Sequence, residues 1–98
     1  MTDAGRVVSS MAAKSSGEYI DIHPDGTEEW VVHNIYHSGD AALFAVRSGL
    51  EIRIDDQTGP NAWVAHVFHV TNTQYLRLKD WSGASQNMGY DGVCTNGG

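Results

Sequence analysis

From Tyr19 onward, apolar and polar positions alternate with a period of two, the mark of strands that bury one face. Tyr19-Ile20-Asp21-Ile22 sets Ile20 and Ile22 on one face and Asp21 on the other. His23-Pro24-Asp25-Gly26 follows as a turn, because Pro presets φ and Gly accepts the left-handed position. Residues 28–37 are dense in β-branched and aromatic side chains and predict a second strand. Residues 41–47 form a short apolar run, too short for a stable helix, and predict a third. Leu50-Glu51-Ile52-Arg53-Ile54-Asp55 alternates cleanly and predicts Leu50, Ile52 and Ile54 facing inward. Residues 62–71 read as one strand covered on both faces, and residues 75–79 as another with Leu76 and Leu78 inward. Residues 88–94 close the pattern with a strand broken at Asp91-Gly92.

Residues 1–17 differ. They are rich in Ser, Ala and Gly, contain no aromatic residue, and predict a flexible N-terminal arm ahead of a domain spanning 18–98. Two other readings stay open for them: an arm that orders on a neighbouring subunit, and a short edge strand at Arg6, Val7 and Val8. Seven to eight short strands with turn signals every ~8–13 residues predict an all-β fold. The leading architecture is a jelly-roll-like or Greek-key β-sandwich with a flexible N-terminal arm.

Composition narrows the function classes. A chain of 98 residues has room for one domain. Six Lys and Arg stand against twelve Asp and Glu, a net charge of -6, which argues against nucleic acid as a partner. No apolar run approaches the ~20 residues of a membrane span, so no membrane partner is expected. The first residues lack a basic flank and apolar core, so no secretory signal is expected. Cys94 stands alone, which excludes an intrachain disulfide and favours a reducing cytosol. A small buried side chain is its expected role.

Candidate chemistry is sparse. His33 and His37 are four apart and share a strand face at roughly 13 Å, too far for one metal ion. His66 and His69 point to opposite faces, and His23 lies in a turn. Asp21, His23, Asp25 and Gly26 echo the start of a calcium loop but lack flanking helices. Asp55-Asp56 reads as a solvated strand end. No nucleophile elbow and no phosphate-cradling glycine loop is present. The expectation is therefore no catalytic residue, no metal and no cofactor. A jelly roll with a histidine metal site is the enzyme class set against it. Trp30 and Trp63 sit among valines and are expected in the core or between subunits, while Trp81 in a polar loop is the candidate exposed anchor.

Three segments carry a family resemblance. Pro24-Asp25-Gly26-Thr27-Glu28-Glu29-Trp30-Val31-Val32-His33-Asn34-Ile35 resembles the P-x-G-x-E-W-x-(V/I)-x-x-I opening strand of small virion β-proteins of tailed bacteriophages. His69-Val70-Thr71-Asn72-Thr73-Gln74-Tyr75-Leu76-Arg77-Leu78-Lys79, followed by Trp81-Ser82-Gly83, resembles their T-N-x-x-Y-L-R-(V/L)-x-N-x-S-G hairpin. Met88-Gly89-Tyr90-Asp91-Gly92-Val93 resembles their (I/M)-G-Y-x-G-V terminal strand. Asp80-Trp81 departs from the plainer polar pair of that pattern, which leaves the role of its loop open.

The resemblance covers about residues 18–95. It implies a non-enzymatic capsid decoration protein, a homotrimer bound to the major capsid protein on the virion surface and made in the bacterial host cytoplasm. The alternative is a tail-fibre, spike or carbohydrate-binding module whose partner is a glycan. Arg6, Val7 and Val8 of the arm, and Trp81, are the candidate partner contacts.

Overall fold

A computed structural model describes residues 5–97. Nine strands run in order: β1 (Val7–Lys14), β2 (Tyr19–Ile22), β3 (Glu29–His37), β4 (Ala41–Arg47), β5 (Leu50–Gln57), β6 (Asn61–Trp63), β7 (Phe68–Val70), β8 (Gln74–Asp80) and β9 (Gln86–Asn96). They form two antiparallel sheets. The first has the order β1-β9-β3-β6, with β7 also on β3, and the second has the order β2-β8-β4-β5. The chain crosses from one sheet to the other at nearly every connection. With β6 and β7 counted as one interrupted strand, this is the eight-strand order of a jelly roll.

Between the sheets lies a core that includes Ile22, Val32, Ile35, Leu43, Leu78 and Met88, all essentially sealed from solvent. The predicted inward positions Leu76 and Leu78 are there, and so are Trp30 and Trp63. Each indole still reaches an acceptor: Trp30 Nε1 donates to Glu28 Oε1 at 2.9 Å and Trp63 Nε1 to Asp55 Oδ2 at 2.7 Å. Cys94 is buried.

The last strand runs unbroken through Asp91-Gly92, where a break is expected, and four further expectations differ from the structure. First, residues 7–14 of the expected arm are strand β1, paired with β9 at every position from Val7↔Val93 to Lys14↔Gln86. The backbone carries this pairing, since only Val8 of β1 joins the core. Residues 1–4 lie outside the described residues.

Second, residues 62–71 are two short strands separated by a detour at 64–67. Opposite it, β3 carries a β-bulge between Val32 and Asn34. Two β3 residues there face four on the β6–β7 side, because Ile35 pairs with Trp63 and Val32 with Phe68. Hydrogen bonds pin the detour to the bulge, from His66 N to His33 O at 3.0 Å and from Ala65 N to Asn34 Oδ1 at 3.1 Å. Ala65 accepts a φ of 57° to make the turn.

Third, the same bulge separates His33 from His37. The extra residue shifts the alternation, so His33 and Asn34 both face outward while His37 turns inward and is buried. His37 Nδ1 lies 2.6 Å from Gly39 O, and its Nε2 lies 2.8 Å from Gln57 Oε1.

Fourth, Leu50, Ile52 and Ile54 are 74%, 70% and 49% exposed. Residues directly opposite in an antiparallel pair share a face. Ile52 thus ends a row running from Ile22 through Leu76 and Ala45. Ile22 and Leu76 are buried and Ala45 is half-buried, whereas Ile52 lies open. The opposing sheet reaches β5 at Asp55 and Gln57, through Trp63 and His37, and the inward face runs on past it at Ile52.

Candidate interaction surfaces

Three regions of the surface have the make-up of a contact site. The first is a groove of about 690 Å³ on the outer face of the β1-β9-β3 layer. Exposed Val7 and Met11 on β1 form one wall and Tyr36 on β3 the other, with Asp91 and Gly92 between them. Met11 and Tyr36 sit on either side of Gly89 in the register, so a position without a side chain separates two large ones. Gly89 also lets β1 approach closely, since a Cβ there would meet Ser10 O at 2.5 Å. The bulge supplies the groove's polar side by turning both His33 and Asn34 outward. Asn34 Nδ2 donates to Asp91 Oδ1 at 2.8 Å, and His33 Nδ1 lies 3.0 Å from His66 O. Tyr90 borders the groove but belongs to the core, and burial, with Asp25 adding to it, pushes its phenol pKa above the ordinary value.

The second region is the loop between β8 and β9. Trp81 is 55% exposed there, with Lys79 Nζ 5.9 Å from its ring centre. The base of this loop is tightly tied. Buried Asp80 Oδ1 accepts from Ser82 N at 2.9 Å, Ser82 Oγ at 2.7 Å and Gln86 Nε2 at 2.8 Å. Burial alone would raise the Asp80 pKa, but the donors from Gln86 and Ser82 outweigh it and hold the carboxyl below its ordinary value.

The third region is the free edge of β5 with Leu50, Ile52 and Ile54. On the opposite face of the same sheet, Arg77 stitches three strands together. Its Nε donates to Asp21 Oδ1 at 2.7 Å and its Nη1 to Glu51 Oε2 at 2.9 Å, and the guanidinium lies 4.0 Å from the Tyr19 ring centre.

The four candidate contact residues separate in the structure. Arg6 is bound to Glu28 at 2.6 Å, Val7 is 71% exposed on the groove wall, and Trp81 is exposed on the far loop. Val8 points into the core and is closed to a partner. The sequence pattern does not mark Met11, Tyr36, His33, Asn34 and Asp91 as contacts. One signal for the groove is present in it. Apolar positions fall at Trp30 and Val32, then at Ile35, and that change of phase marks the bulge. Among the described residues, no group of three or more His, Cys, Asp and Glu side chains is placed to hold a metal ion. Asp21, from the calcium-like stretch, is engaged by Arg77.

No protein-family model matches the chain, and a search of curated proteins finds no match.

Proposed function

We propose that this protein is a non-enzymatic structural protein of a tailed-phage virion, a decoration protein that binds the assembled major-capsid lattice and stabilises the head. The observation that carries this reading is the groove along the β1 edge, with Val7 and Met11 exposed on one wall and Tyr36 on the other. An apolar-walled channel beside an unpaired strand edge suits an extended segment of another protein, which adds backbone hydrogen bonds to side-chain burial. Residues 7–14 contribute as a fixed wall rather than as a loose arm. A protein that binds only the expanded shell stabilises that state by mass action, and repetition over the lattice makes modest single contacts sufficient.

The test is co-sedimentation of the purified protein with empty capsid shells before and after expansion. The expected result is binding to expanded shells, weakened about tenfold or more by Met11→Asp with the thermal melt unchanged. Absence of binding to either shell overturns the reading. A second reading, a glycan-recognising module of a tail or fibre, draws on exposed Trp81. It predicts glycan-array binding that Trp81→Ala abolishes.

A further inference from the structure

We propose that two copies of this chain join edge to edge through β5, antiparallel and centred on Ile52, so that the two outer strands make one continuous sheet. The inference goes beyond the capsid reading and does not depend on it.

Three observations carry the proposal. The first is that β5 is a terminal strand of its sheet and eight residues long, against four in β2 at the other end. Long open edges are normally blunted by charge, Pro, a bulge or a cover; residues 50–53 contain neither Lys nor Pro, and the bulge and the Asp55-Asp56 pair lie beyond them. The bulge at Ile54 leaves Glu51, Ile52 and Arg53 in regular register, so a pairing centred on Ile52 is regular across its middle and meets the bulge only at its two ends.

The second observation is the uncovered end of the core face. Ile52 continues a row that is buried at Ile22 and Leu76, and Leu50 and Ile54 flank it, yet all three face solvent. A second copy of the strand laid beside this one would pack these side chains laterally against their cross-strand counterparts.

The third observation is charge, and it selects both the occupant and the register. A two-fold axis through Ile52 places Glu51 opposite the partner subunit's Arg53, and Arg53 opposite the partner subunit's Glu51. The same axis puts Leu50 opposite the partner subunit's Ile54 and Ile52 opposite its own copy. Centring on Glu51 would set two carboxylates face to face, and centring on Arg53 would oppose two guanidinium groups. Centring on Ile54 would leave Ile52 opposite the partner subunit's Asp56. Like charges directly opposite are destabilising and opposite charges stabilising, so Ile52 is the favoured centre. Arg53 is free to re-pair, since its own contact with Asp56 is long, at 3.9 Å, and the two side chains are 50% and 63% exposed. Glu51 is already held in place by Arg77. The same strand on a second copy therefore supplies the complementary surface.

The test is the solution mass of the full chain by sedimentation equilibrium over a range of concentrations. The expected mass at the upper end is twice the 10.7 kDa of one chain. A single-chain mass throughout, or the three-chain mass implied by the resemblance, overturns the proposal. If two chains are found, Glu51→Lys and Arg53→Glu should each weaken association by about tenfold or more. Mixing these two variants should restore a mixed dimer, because the altered charges then face each other. Ile52→Cys should form an intersubunit disulfide under mild oxidation, and Arg53→Cys should not, since only the central residue meets its own copy. Cys94 is buried and does not compete. A dimer that Ile52→Cys fails to cross-link, or that the charge variants leave intact, also overturns the proposal. Whatever this test gives, capsid binding is scored separately and stands or falls on its own.

Discussion

Strands β8 and β5 share the same plain alternation of apolar and charged residues, and their fates differ. Leu76 and Leu78 are 4% and 0% exposed, whereas Leu50 and Ile52 are 74% and 70% exposed. Leu76 and Ile52 share the core side of one sheet, joined through Ala45 of β4 between them. Their place in the sheet order makes the difference. β8 lies second, beneath the opposing layer, while β5 lies last and its first half overhangs that layer. Alternation therefore specifies which way a side chain points, and the number and order of strands decide whether anything covers it.

The largest effect expected from this contrast is in core truncation. Leu78→Ala should cost about 2–5 kcal/mol, because it removes buried methyl groups and leaves a cavity. Ile52→Ala should change stability by less than about 0.5 kcal/mol at concentrations low enough to dilute out self-association. Urea unfolding of both variants checks the contrast, and equal losses would break it.

Backbone positions sharpen it next. A Cβ at Gly92, in the covered layer, would collide with the backbone of Val31 and Val32. Gly92→Ala should cost about 1–3 kcal/mol or abolish folding. Gly49, in the turn leading into β5, has open space around it and a φ of 78°. Gly49→Ala should cost only the left-handed strain of about 1–2 kcal/mol, read from thermal unfolding.

The acidic end of β8 adds a pH test. The Asp80 carboxyl is held below the ordinary carboxylate value in the folded protein by the donors from Gln86 and Ser82. Its contribution is complete above the unfolded value and is lost as pH falls through the lower folded one. Asp80→Asn should therefore lower stability at neutral pH and flatten the decline below about pH 4. A parallel shift of the whole pH profile would deny the carboxylate this role.

The smallest contrast is between two arginines. Arg77, largely covered and bonded to Asp21 and Glu51, should cost on the order of 1 kcal/mol when changed to Ala. Arg53→Ala, at an exposed and long contact, should be close to neutral in dilute solution. Urea midpoints resolve both.

Much of the architecture is legible in the chain. Strands β2, β3, β4 and β8 fall where alternation and turn residues put them, because each buries a local pattern. β1 is obscure because Ser9, Ser10, Ala12 and Ala13 have little to bury, and its strand character comes from the neighbour it pairs with. The split between β6 and β7 depends on a bulge in a distant strand, which no local pattern within 62–71 records. The same holds for the groove. Trp81 is readable as an exposed ring in a polar loop, but Met11, Tyr36 and Asp91 meet only through the pairing of three strands from opposite ends of the chain.

The clasp beneath Trp81 has a thermodynamic consequence for any partner. Asp80 gathers three donors at the base of the loop, so the backbone on which the indole stands is ordered before contact. Immobilising a mobile loop and its side chains subtracts from affinity, by about 0.5–1.5 kcal/mol for each rotamer-rich side chain. A ring on a fixed mount escapes most of that loss. Loosening the clasp with Ser82→Ala would weaken binding at Trp81 without altering a single contacting atom, and the loss would appear as a less favourable binding entropy.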